Sequence, residues 1–164
     1  MKIEILVHDL RVCIEMEHSY MGDITINLHT PNGNTVVLLE DQNGVGVGNG
    51  LVGNSLGLPE HNDSFTNQCS GDENPAGTGY TYCWSPNPST GNWHDLNNTG
   101  QLQDPVQESV IGSNTNIFSA YNNSFNNSVN SPLNGVWTLE IIDTWGFDNG
   151  WIFQWWIDFN KNIL

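Results

Sequence analysis

With 164 residues the chain is long enough for one domain and short for two. Three Lys+Arg against eighteen Asp+Glu give a formal charge of −15, which argues against nucleic acid and anionic membrane surfaces as partners, since both need a basic footprint. A hydrophobic share of 37% with abundant Gly, Asn, Ser and Thr argues against a helical protein and suits a β-protein with long polar loops, in which seven tryptophans can still fill a core.

Strand signals replace helical periodicity along most of the chain. Lys2–Val7 reads as a short strand, and Arg11–Glu17 alternates Val12, Ile14 and Met16 against Cys13, Glu15 and Glu17. From Asp23 to Thr30, Ile24, Ile26 and Leu28 take one face while Thr25, Asn27 and His29 take the other. Pro31–Asn34 ("PNGN") is a turn, and Thr35–Glu40 returns, so residues 23–40 form a β-hairpin. Residues 41–110 change character, because the glycines of "NGVGVGNGLVGNSLGLPEHNDS" bar a regular strand or helix. Gly79–Ser85 is the best strand candidate there, and the remainder, His94-Asp95 included, reads as loop. So long a loop region is normally functional, metal-stiffened or disulfide-tied.

Residues 113–133 are rich in Asn and Ser, with Ile117, Phe118, Tyr121 and Phe125 as anchors. Order returns at 135–143, where Trp137, Leu139 and Ile141 share a face. "TWGFDNG" turns the chain into a last strand, 151–159. Its apolar set, Ile152, Trp155, Ile157 and Phe159, breaks the period of two once and predicts a bulge near Phe153–Gln154. These seven residues are the expected core of the closing strands, with Trp137 and Trp155 buried. The pattern predicts an antiparallel β-sandwich with negligible helix, formed by one domain over residues 1–164.

The cysteines are Cys13, Cys69 and Cys83, with no CxxC pair to suggest zinc or redox chemistry. At most one internal disulfide forms, and Cys69–Cys83 is the expected pair, with Cys13 a small buried hydrophobe. No stretch reaches the ~18 apolar residues of a membrane span. The opening "MKIEILVHDL" has acidic residues where a leader would be apolar, so the chain reads as an excised domain.

No complete catalytic constellation is legible. His18, Ser19 and Asp23 are close in sequence without making a triad, no G-x-S-x-G occurs, and His94-Asp95 lacks a second ligand at metal spacing. Aspartates at strand ends beside glycines are free to converge on a hard cation: Asp23 after Gly22, and Asp143 and Asp148 around the closing turn. Asp41 and Asp63 in the glycine-rich region are further candidates. The competing reading has the same carboxylates accept backbone N–H groups in turns.

The stretch "HSYMGDITINLHTPNGNTVVLL", followed about a hundred residues later by "LNGVWTLEIIDTWGFDNGWIFQWWIDF", resembles the P domain, or Homo B domain, of proprotein convertases. The matching features are His18, Gly22-Asp23-Ile24 and Pro31-Asn32-Gly33, then Asn134-Gly135, Trp137, Leu139, Asp143, Asp148, Gly150, Trp155 and Phe159. Similar domains follow subtilisin-like and other secreted protease domains in bacteria. The resemblance spans 10–40 and 113–160, and nothing in 41–110 is carried over. It implies a jelly-roll sandwich of about eight strands, non-catalytic and extracellular, that packs on the catalytic domain of its parent protein, stabilises it and can bind Ca²⁺. The rival reading is a carbohydrate- or surface-binding jelly roll that uses Trp84, Trp93 and Trp145 as stacking platforms.

Overall fold

Alternation of apolar and polar residues makes strands, and a sandwich results when two apolar faces meet. The computed structural model describes residues 10–40, 54–60, 75–145 and 148–159. In it β1 (Leu10–His18), β4 (Tyr80–Trp84), β5 (Ile117–Phe118) and β7 (Gly150–Phe159) form one sheet in the order β5-β4-β1-β7. The second sheet is β3-β2-β6, made of β2 (Ile24–His29), β3 (Thr35–Leu39) and β6 (Thr138–Asp143). All pairings are antiparallel except the short parallel contact of β4 with β5. Of the described residues 41% are strand and 17% helix, and among them the sandwich has seven strands where about eight are expected.

The two central strands, β1 and β2, supply the middle of the core. Val12, Ile14 and Met16 meet Ile24, Ile26 and Leu28, all of them buried. The hairpin of 23–40 is present: Thr30 and Asn34 close its turn, and Gly33 takes a φ of +86° there. Between sheet and loops lies an aromatic cluster. The Trp93 ring stands 5.3 Å from both Tyr82 and Phe118, edge to face, and 5.1 Å from Trp84. Trp84 and Trp93 are therefore core residues and not stacking platforms. Their place follows from β4 and from a short helix, α1 (Trp93–Asn98), in the region read as loop. Its signal was local: Asn92 caps the Asp95 N–H at 2.9 Å, and its amide reaches the Asp95 carboxylate at 2.7 Å.

The closing strands differ from the expectation in burial and not in direction. Glu15 pairs with Gln154 and Met16 with Ile152, so Phe153 is the extra residue of a bulge, as the broken period predicts. Ile152 and Trp155 lie opposite the inward-facing Met16 and Ile14. They are nevertheless 50% and 38% exposed, because β7 is the outer strand of its sheet. Trp137, Leu139, Ile141, Ile157 and Phe159 are half-buried and pack against the core, with Trp137 and Phe159 rings 6.0 Å apart. The segment 2–7 lies outside the described residues.

The disulfide is also a correction. Cys13 and Cys83 face each other across β1 and β4, with Cα atoms 4.1 Å apart, and are bonded under Ile117 and Trp156. The Cys83 N–H donates to Ser109 Oγ, which leaves this cross-strand pair at the closer, non-hydrogen-bonded spacing. The expected Cys69–Cys83 bond does not form, and Cys69 itself lies outside the described residues. The bond closes a sequence separation of 70 residues. By the chain-entropy relation its loss in Cys13→Ser should cost about 4 kcal/mol and lower the melting temperature. A non-reducing peptide map should link Cys13 to Cys83, and a Cys69–Cys83 peptide would contradict the register.

Candidate functional site

Three of the aspartates singled out in the sequence, Asp23, Asp143 and Asp148, stand at one rim, where each sheet hands its chain to the other. Residues 19–23 carry β1 into β2, with a single 3₁₀ turn over the buried Met21–Asp23. Residues 144–149 carry β6 into β7. Neither link belongs to a sheet, and the described residues of each bond to the other. The Ser19 N–H donates to Asn149 O at 3.0 Å, and the Asn149 N–H donates to Ser19 Oγ at 3.3 Å. The Asp23 carbonyl accepts both the Thr144 N–H and its hydroxyl, each at 3.0 Å.

His18 joins the two arches. Its Nδ1 accepts the Tyr20 N–H at 3.2 Å, so the neutral ring carries its proton on Nε2. Nε2 stands 3.5 Å from the Asp143 carboxylate, whose other oxygen accepts the Trp145 N–H at 3.0 Å. Burial pushes the Asp143 carboxyl up. His18 and the Trp145 N–H outweigh it and hold the group below the ordinary carboxylate range. Its contribution to stability is therefore in place above the ordinary carboxylate pKa and lost as pH falls through the lower folded value. Gly150, directly opposite His18, leaves the space the ring occupies: a Cβ there would collide with the imidazole and come within 2.6 Å of the Glu17 carbonyl oxygen. At the other end of β2, Gly135 lies so close to Pro31 that a Cβ would come within 2.5 Å of its ring, and Ser131 donates to Asn32 at 2.7 Å. The two separated stretches of the resemblance thus touch at both ends.

Asp23 and Asp148 are buried at this rim, and Asp143 is more exposed. Among the described residues no group of three or more His, Cys, Asp or Glu side chains is arranged to hold a metal ion. Asp41 and Asp63 lie outside the described residues. His94 is buried in α1, where its Nε2 bonds the Glu40 carbonyl at 2.9 Å, so it is a structural group. Burial pushes its pKa down against that bond.

Two polar features were not legible in the sequence. Glu17 alternates onto the outer face of β1, yet it is 1% exposed. The segment around Leu56 covers it by pairing with His18, with both N–H···O distances 2.9 Å. One Glu17 oxygen faces the Gly77 N–H at 3.5 Å, and burial pushes the carboxyl up. The second feature is a row across β3, β2 and β6. Thr35 Oγ1 stands 3.0 Å from His29 Nδ1, and Glu140 Oε2 stands 3.1 Å from His29 Nε2. Hydroxyl, imidazole and carboxylate here lie along an open sheet face, partly in solvent. Such a row is a cross-strand ladder; acyl chemistry would also need oxyanion donors and a shaped cavity.

The arrangement defines a β-sandwich module whose signature residues hold its architecture. The chain belongs to the proprotein convertase P-domain family, whose model matches residues 7–104, more than half of its length. It is an accessory P domain, a non-catalytic family associated with subtilisin-like proteases. The closing strands lie beyond that match, but β6 and β7 pair directly with β2 and β1 inside it. No curated protein and no solved structure matches the chain.

Gly150→Ala should destabilise the domain by about 1–3 kcal/mol, the usual cost of overpacking, and His18→Ala in the same chain should recover part of that loss. Strictly additive losses in thermal unfolding would mean that the ring does not need the space. Glu17→Gln tests the buried acid. A raised folded-state pKa means that the native chain gains stability on protonation and loses it as pH rises through that value. The variant should therefore be more stable than the native chain at neutral pH, with the gap closing toward the ordinary glutamate range. A Glu17→Gln chain less stable at pH 7 would refute this.

Proposed function

We propose that this P domain assists a secreted serine-type protease by docking on its catalytic domain through the β6–β7 edge. The observation that carries the reading is the concentration of exposed apolar side chains there. Val136 is 80% and Trp145 58% exposed at the two ends of β6, and Trp151, Ile152, Phe153 and Trp155 are exposed along β7. So many large apolar side chains exposed on two outer strands favour an interaction edge. It coincides with the outer strands of both sheets, where neither closes the core alone. Family membership supplies the kind of partner. The Cys13–Cys83 disulfide supports export, since such bonds persist in oxidising compartments. In the full-length protein, Val136→Lys, Trp145→Lys and Ile152→Lys together should reduce the yield and thermal stability of active protease. The isolated domain should keep its transition within a few tenths of a kcal/mol per site, as exposed substitutions do. Unchanged protease yield, or a parent protein with no protease domain, would refute the reading.

Calcium at the same rim is a separate proposal. It is supported by the gathering of Asp23, Asp143 and Asp148 at one end of a chain of charge −15. A cation would have to take the Asp143 carboxylate from His18. Calorimetry of the metal-stripped chain should then show Ca²⁺ binding that Mg²⁺ does not reproduce and that Asp143→Asn abolishes. No binding heat would leave the rim to protein hydrogen bonds alone.

A further inference from the structure

On the opposite side of the sandwich, a concavity of about 150 Å³ lies between α1, residues 101–107 and β5. Its floor is apolar, formed by Leu96, Val106 and Phe118. Its polar lining residues are Thr90, Gln101, Gln103, Gln107 and Asn116, four of which bear side-chain amides, and none of the lining residues carries a charge. The wall is fixed in place. The Gln101 and Leu102 N–H groups both donate to Leu96 O at the end of α1, and the Val106 N–H donates to Ser55 O at 2.9 Å. Asn116 holds a positive φ of 53°, with its carbonyl bonded by Ser109 Oγ and its amide donating to Glu108 O at 3.0 Å.

The amides are matched to one another so that donors and acceptors are left over. Gln107 Nε2 donates to Gln103 Oε1 at 2.6 Å, which leaves Gln107 Oε1 to accept and Gln103 Nε2 to donate. Asn116 Oδ1 adds an acceptor. Donors and acceptors together above an apolar floor suit a ligand whose hydroxyls both give and take hydrogen bonds and whose C–H face is apolar. An anion would find no cation in the wall and a molecule of charge −15 around it. A wholly apolar ligand would strip water from the amides without replacing it. The volume is below the roughly 300–1,000 Å³ of sites for drug-sized ligands, which leaves room for one ring.

We propose that this concavity binds a single neutral sugar residue, such as the end of a glycan. This function is independent of protease docking, since the residues involved lie away from the β6–β7 edge. Four probes test it on the whole chain: the methyl glycosides of glucose, galactose, mannose and N-acetylglucosamine, by saturation-transfer NMR and then titration. At least one should bind with a dissociation constant of about 1–10 mM, an affinity in keeping with a few hydrogen bonds. Gln103→Leu and Gln107→Leu should each weaken binding about tenfold. Both side chains are exposed, so the melting temperature should hold and separate lost binding from lost fold. Absence of binding by all four glycosides, or binding that survives both substitutions, would overturn the proposal.

Discussion

The structure depends on one covalent constraint: the central strands of its two sheets are joined by only residues 19–23. A link so short cannot satisfy its own backbone groups by regular structure, and a buried unpaired N–H or C=O costs about 1–3 kcal/mol. The β6–β7 link meets the same difficulty at the same rim. The two arches resolve it by bonding to each other, through Ser19 with Asn149 and Asp23 with Thr144. His18 and Asp143 add a contact between them, and Gly150 makes the room. Gly22-Asp23 stands before so regular a strand because the chain must leave one sheet there and enter the other within a buried turn.

The acidic residues of the rim take on a different meaning beside the paired arches. Asp23 and Asp143 read in sequence as possible cation ligands, and they do lie side by side, since Ile24 pairs with Asp143. What engages them in the fold includes backbone and imidazole. A turn aspartate and a ligand aspartate look identical in a sequence, because the difference lies in what the second arch brings to it. The same rim shows what the residues that carry the resemblance do in this fold: His18, Asp143 and Gly150 lie where the links between the two sheets meet.

Local chemistry was legible and non-local register was not. The hairpin of 23–40 was written in its alternation and turn, and the bulge at Phe153 in one broken period. Helix α1 carried a readable cap, Asn92 with Asp95, hidden by its setting among glycines and asparagines. The Cys13–Cys83 bond needed the register of β4 on β1, which no local pattern states. The burial of Trp84 and Trp93, and the exposure of Ile152 and Trp155, depend on which strands are central and which are outer. The burial of Glu17 has a related reason, since a segment from far along the chain pairs with His18 and covers the outer face of β1 there.

The central claim is that the paired arches make two sheets one cooperative unit. Native-state hydrogen exchange with rising denaturant reads this directly, because independent units open at separate free energies. The account predicts that slow amides of Val12–Met16 in the first sheet and of Ile26–Leu28 in the second merge onto one isotherm, equal to global unfolding. Two isotherms, with one sheet opening while the other stays protected, would contradict it.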